Sequence, residues 1–350
     1  MRRSCEFSFI VALAVVTLVT TACMRFAPDY PTTHLAAQRP APPIPTGYEY
    51  RKTASPATLE RQGVAADGQY ETYVLALPAV ETNGQGPLPA SVQYLKLKTP
   101  GKKKLVIVVP IYGSVSFAST MMARHLIEWQ KQDTNVLLIL DANEIFDGDI
   151  ERAPIMMTEA ELLRGVQRCV TRFRNAVINI RRMVDWAETV DEIDAAHIGV
   201  VGFSIGASVA NVAMGVDARI SAGAFVLPST KLHEILAYGH VPRWQTSIDR
   251  VRENLTLTPG AFAQKVEPIL RSIDPIHFSK SIDSTKVLLI EAAQDSYVPA
   301  LARKLHWEAL GRPRTIRIDY DHKTAFLLSM TFLSRHFTAQ AIAEFFGETL

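Results

Sequence analysis

The stretch His197-Ile198-Gly199-Val200-Val201-Gly202-Phe203-Ser204-Ile205-Gly206-Ala207-Ser208-Val209-Ala210 changes character at one serine. Before Ser204 the residues form a short apolar run, the pattern of a strand buried on both faces. After it, small and apolar residues open a helix at once. A residue at such a strand-to-helix turn is held in a strained backbone conformation that exposes its side chain. Gly202 and Gly206, two positions either side, remove side chains that would collide with neighbouring backbone. Ala207 lets the helix sit close behind the turn. The turn also sets the Ile205 amide and the positive helix end beside the Ser204 Oγ, where an oxyanion would be held.

Outward from this turn, strand-like and helix-like segments alternate. On the N-terminal side, 70–77 and 92–97 alternate as half-buried strands and 104–109 is a continuous apolar run. A helix is expected over 118–131, a strand over 135–140 and a long helix over 159–190. On the C-terminal side the pattern gives a helix over 205–214 and strands over 220–227, 286–292 and 314–319, with helices over 299–310 and 332–346. Such alternation implies right-handed crossovers and a mostly parallel sheet covered by helices on both faces, an α/β fold. The two front strands make the sheet mixed. Residues 229–283 break the rhythm. A structureless loop of that length is rare in a compact domain, so an insertion of short helices is expected there, cap-like over the site. Its Leu232, Ile235, Leu236, Tyr238, Trp244 and Phe262 either line an acyl pocket or pack the insertion onto the sheet, and the sequence favours neither.

A serine hydroxyl is a poor nucleophile at neutral pH and needs a base, which in turn needs an orienting acid. Asp295 sits in the loop just past the strand 286–292, with Val298-Pro299 opening the next helix. His322 follows the strand 314–319, which brings it to the same sheet edge as Ser204. Of the other later histidines, His233, His240 and His277 fall in the insertion and His306 and His336 inside expected helices. Glu291 competes with Asp295 as the acid, and Asp319 and Asp321 flank the histidine itself.

The N-terminus reads as an export signal. Arg2 and Arg3 precede an apolar run from Phe7 to Val19, and Thr20-Thr21-Ala22 supplies small residues before Cys23. The arrangement resembles a bacterial lipoprotein signal, which implies removal of 1–22, lipid on Cys23 and a chain held at the cell envelope. A periplasmic or secreted chain is the alternative. Six prolines between Pro28 and Pro45 disfavour regular structure, so 23–65 is expected to be a tether and 66–350 the folded domain. With Cys5 in the signal and Cys23 acylated, Cys169 is left alone, on an apolar helix face that suggests a buried inert thiol. A net charge of +2 gives no electrostatic reason to expect a nucleic-acid partner. No cluster of ligating residues suggests a metal, and the chemistry needs no cofactor.

The segment from Arg181-Arg182-Met183-Val184-Asp185-Trp186 through Glu192-Ile193-Asp194 to Ala207 resembles the α/β-hydrolase superfamily, in its dienelactone-hydrolase and acetyl-xylan-esterase-like branch. The likeness runs over about 70–347 and is weakest in the insertion. It implies a Ser204–His322–Asp295 triad acting on a small-molecule ester. Many relatives carry His-Gly after the third strand; here Tyr112 stands in Val109-Pro110-Ile111-Tyr112-Gly113-Ser114. The second oxyanion amide is expected from Tyr112, with Ile111 and Ser114 as alternatives. Acyl transfer, peptide cleavage, or ligand binding without catalysis remain compatible with the same residues.

Overall fold

The computed structural model describes residues 25–35, 45, 47–51, 56–80, 90–111, 117–129, 133–140, 158–330 and 338–350. The strands are β1 (Thr58–Val64), β2 (Tyr70–Leu77), β3 (Ala90–Leu97), β4 (Lys103–Val109), β5 (Thr134–Ile139), β6 (Ile193–Phe203), β7 (Ile220–Val226), β8 (Val287–Ala292) and β9 (Arg314–Ile318). Among the described residues they form one sheet in the order β1-β2-β3-β5-β4-β6-β7-β8-β9. Strands β5, β4, β6, β7, β8 and β9 run parallel, while β1, β2 and β3 join antiparallel at one flank. The apolar runs that read as doubly buried are so: β4 is buried from Leu105 to Val109 and β6 from Ile198 to Phe203.

The helices are α1 (Phe117–Trp129), α2 (Glu159–Ala187), α3 (Ile205–Val216), α4 (Leu232–Tyr238), α5 (Pro242–Asn254), α6 (Pro259–Leu270), α7 (Ala300–Ala309), α8 (His322–Met330) and α9 (Thr338–Thr349). Two hydrophobic clusters cover the two faces of the sheet. One joins Phe173, Val177 and Ile180 of α2 with the alternate side chains Leu105, Ile107 and Val109 of β4. The other sets Met122 and Leu126 of α1 and Phe346 of α9 on Val106 and Val108. The long helix starts where a capping box forms between Thr158 and Glu161. Cys169 on its inner face is buried.

The structure departs from the sequence reading in three places. Described parts of 23–65 lie on the domain instead of forming a free tether. The buried Tyr48 donates from its hydroxyl to the Ser272 carbonyl at 2.9 Å, and Arg181 donates to the Tyr48 carbonyl at 2.5 Å. Burying a side chain of that size stabilises by about 2–3 kcal/mol, enough to hold the segment down. Prolines forbid helix and central strand; they do not forbid docking. Second, Thr58–Val64 is an edge strand, so the domain begins before residue 66. Third, α8 replaces an expected loop after β9, and the last helix spans 338–349, with 331–337 outside the described residues. Of the insertion residues whose role the sequence left open, Leu232, Ile235, Leu236 and Phe262 are buried in the core cluster and pack the insertion down, while Tyr238 is exposed. Among the described residues no helix is long and apolar enough to cross a membrane.

Candidate active site

Strand β6 ends at Phe203 and α3 begins at Ile205, so the whole turn is Ser204. Its backbone stands at φ 51° and ψ −120°, a conformation that costs a non-glycine residue about 1–3 kcal/mol. The surroundings enforce it. The Ser204 amide donates to the Val226 carbonyl of β7 at 2.8 Å, and α3 is buried throughout. A Cβ on Gly202 would lie 2.3 Å from the Gly206 carbonyl oxygen, and one on Gly206 only 2.1 Å from that of Pro110. Both glycines are therefore steric necessities of the turn.

The acid and histidine arrive on the two neighbouring loops. After β8 the chain turns through Ala293 and Gln294, whose amides donate to the Ile318 and Tyr320 carbonyls. Asp295 then accepts from the Tyr297 and Val298 amides on Oδ1, at 2.7 and 3.0 Å. Its Oδ2 lies 2.7 Å from His322 Nδ1, and His322 Nε2 lies 3.3 Å from Ser204 Oγ. Both Asp295 and His322 side chains are buried, 2% and 8% exposed, so water competes little for their contact. The three residues singled out in the sequence thus meet as one chain of contacts at the carboxyl edge of the sheet. A 3.3 Å serine–histidine contact is long for a hydrogen bond between the two groups, as is common before substrate arrives.

The competing groups have other duties. Asp321 caps α8, accepting from the Lys323 and Thr324 amides at 3.0 and 3.2 Å. Asp319 accepts from Gln294 Nε2 at 3.0 Å. Burial pushes His306 down to about 3, and its Nε2 lies 2.7 Å from Asn211 Oδ1 inside the core. Glu291 is buried in β8 beside Arg303 and Arg317, with Tyr30 of the N-terminal segment against it. Burial pushes its carboxyl up from the ordinary 4.5 to about 7.

Glu291 therefore carries a pH dependence with a definite sign. Its folded-state pKa lies above the unfolded one, so its contribution is fully present below pH 4.5 and is lost as pH rises through 7. Relative to Glu291→Gln, the natural protein is expected to lose up to about 3 kcal/mol of unfolding free energy across that window. Denaturant unfolding of both proteins at several pH values reads this difference. Parallel profiles would show that Glu291 does not titrate there.

Two supporting side chains escaped the sequence. The Tyr297 ring stacks on the His322 ring, with centroids 4.6 Å apart and planes at 21°. Arg303, buried in α7, donates to the carbonyls of Ala293, Asp295 and Val298 and so braces the acid loop. The available signal was a charged residue on the buried face of α7, beside Ala302, His306 and Trp307. Of the expected oxyanion donors, Ile205 opens α3, where a first-turn amide has no helical acceptor. Tyr112, Gly113 and Ser114 lie outside the described residues, as does Cys23. Ile111 follows Pro110, whose carbonyl packs on Gly206, so the 111–114 loop starts at the turn itself. Among the described residues no group of His, Cys, Asp and Glu could hold a metal ion.

No family model and no curated protein matches the sequence. Solved structures do. An acetyl xylan esterase from Paenibacillus sp. R4 superposes with a TM-score of 0.61 at 17% identity, covering 85% of this chain and 90% of its own. Acetyl xylan esterase 1 from Thermoanaerobacterium sp. JW/SL YS485 gives 0.58 at 14% identity, over 92% and 99%. A Pyrococcus furiosus esterase gives 0.51 at 17% identity, over 83% and 98%. At such identities the likeness is one of architecture, and with the parallel sheet and its strand-to-helix turn it gives the chain the α/β-hydrolase fold.

Proposed function

We propose that this chain is a serine hydrolase that cleaves a carboxylic ester through an acyl-enzyme. The observation that carries it is the unbroken line from Asp295 Oδ2 through the His322 ring to Ser204 Oγ, at a residue held in positive φ. In this reading His322 Nε2 takes the hydroxyl proton as Oγ attacks the ester carbonyl. Asp295 keeps the second ring proton on Nδ1 and stabilises the imidazolium that forms. The Ile205 amide and one from 111–114, with Tyr112 the expected donor, hold the oxyanion. The imidazolium then protonates the departing alkoxide. Water, deprotonated by His322 in turn, attacks the acyl-serine, and the imidazolium returns that proton to Ser204 Oγ as the acid is released.

The esterase neighbours support hydrolase chemistry on this fold. The N-terminal pattern supports export, with lipid attached at Cys23. A fluorophosphonate probe tests the nucleophile directly. Intact-mass measurement should show one phosphonyl group per chain, and peptide mapping should find it on Ser204. Undiminished labelling of a Ser204→Ala chain, or none of the natural one, would overturn the reading.

A further inference from the structure

The segment 25–35 runs antiparallel to β9 along the open edge of the sheet. The Asp319 amide donates to the Arg25 carbonyl and the Ala27 amide to the Arg317 carbonyl, both at 2.9 Å. Phe26 bridges Ile318, Arg317 donates to the Pro28 carbonyl at 2.7 Å, and the Leu35 amide reaches the Gly311 carbonyl at the far end of β9. The direction fixes which end is which. Leu35 lies at the edge where β9 begins. Arg25 lies at the carboxyl edge, its guanidinium 5.3 Å over the Tyr320 ring, two residues from His322. Only Met24 separates Arg25 from Cys23, and two extended residues span about 7 Å at most. A lipid on Cys23 would therefore leave the molecule beside the reaction site, with no slack to hold the domain away.

The surface there has matching chemistry. Phe26 sits at the end of β9, Phe117 opens α1 after β4, and Leu140 follows β5. Tyr238 ends α4 next to the acid loop, where the His240 amide donates to the Ser296 carbonyl at 3.0 Å. Leu301 lies in the first turn of α7 and Leu327 in the second turn of α8. Of these, Phe117, Leu140, Tyr238, Leu301 and Leu327 are 42% to 63% exposed. Single exposed apolar residues are ordinary, whereas five on one edge mark it as a candidate contact surface. The other large exposed apolar side chains, among them Val64 on β1 and Trp129 at the far end of α1, are scattered.

We propose that the carboxyl edge of the sheet is a membrane-contact face, pressed by the Cys23 lipid onto the bilayer so that the ester substrate is taken from the lipid surface. The proposal rests on Cys23 as the lipid attachment and Ser204 as the nucleophile. Its occupant is the lipid surface because Arg25, two residues from the expected attachment at Cys23, lies on the same edge as those exposed apolar side chains.

The test uses the full chain, purified with its lipid and reconstituted into vesicles of phosphatidylethanolamine and phosphatidylglycerol. Leu301→Cys, Leu327→Cys and Val64→Cys each carry an environment-sensitive fluorophore, and spin-labelled lipid is the quencher. Quenching at 301 and 327 but not at 64 is expected. No quenching at 301 and 327 in a chain that floats with the vesicles would overturn the proposal. A natural chain whose intact mass carries no lipid on Cys23 would overturn it by a separate signal, through its premise. The double variant Leu301→Asp, Leu327→Asp is expected to keep its rate on a dissolved short-chain ester and to lose about tenfold or more on a vesicle-borne one. Equal rates on both would also overturn it. Absence of turnover on either ester by the natural chain, with the quenching pattern intact, would instead remove the serine assignment.

Discussion

Alanine at position 204 is expected to lower kcat for a short-chain chromogenic ester by about 10⁶, leaving only what binding and the oxyanion donors supply. The size follows from what is lost. The substitution removes one atom, Oγ, and with it both the nucleophile and the contact to His322 Nε2. It leaves the Cβ, so the backbone at φ 51° is no more and no less strained than before, and the Ser204 amide still donates to Val226. Thermal unfolding should move little. A second replacement, His322→Ala, should add almost nothing to the loss, because base and nucleophile act as one unit. If Ser204→Ala retained more than about a hundredth of the activity, a reaction of another kind would be required, since a loss that small is no more than the removal of a single oxyanion donor costs, about 10²–10³.

The candidate site was more legible in the sequence than the molecule's edges were. Ser204 and Asp295 each stand just past a buried apolar strand, and His322 follows the last, partly exposed strand of the same alternation, so their meeting follows from the parallel topology. Side chains that act through others left no such mark. The Tyr297 ring stacks on the histidine ring, and Arg303 donates to backbone carbonyls of the acid loop. The missed strand, Thr58-Leu59-Glu60-Arg61-Gln62-Gly63-Val64, is almost wholly exposed. An edge strand with solvent on both faces has no reason to alternate, and its pairing to β2 is a tertiary fact. Helix α8 had its signal in Asp321, a capping residue whose neighbourhood to His322 drew attention to its charge instead. The docked segment 25–35 was obscured by its prolines, which predict extended backbone correctly but say nothing of what it lies against.

Asp295→Asn is the sharper probe of mechanism, because the two oxygens of Asp295 have different partners. Oδ1 accepts from two amides, Tyr297 and Val298, while Oδ2 faces His322 Nδ1. An asparagine can keep an oxygen toward the amides only by turning its NH₂ toward the histidine. The opposite orientation would set NH₂ against two N–H donors and leave all three unsatisfied in a buried loop. The first orientation therefore wins, and it makes His322 Nδ1 an acceptor. The ring proton then moves to Nε2, the atom that must take the proton of Ser204 Oγ. Geometry survives and the tautomer is wrong. The expected loss in kcat is about 10⁴, with KM for the ester nearly unchanged. Labelling by the fluorophosphonate should slow in the same proportion, since it needs the same proton transfer. A loss below about tenfold would take Asp295 out of the reaction, whereas a matching loss of folding stability would show the amide contacts broken and the wrong orientation adopted.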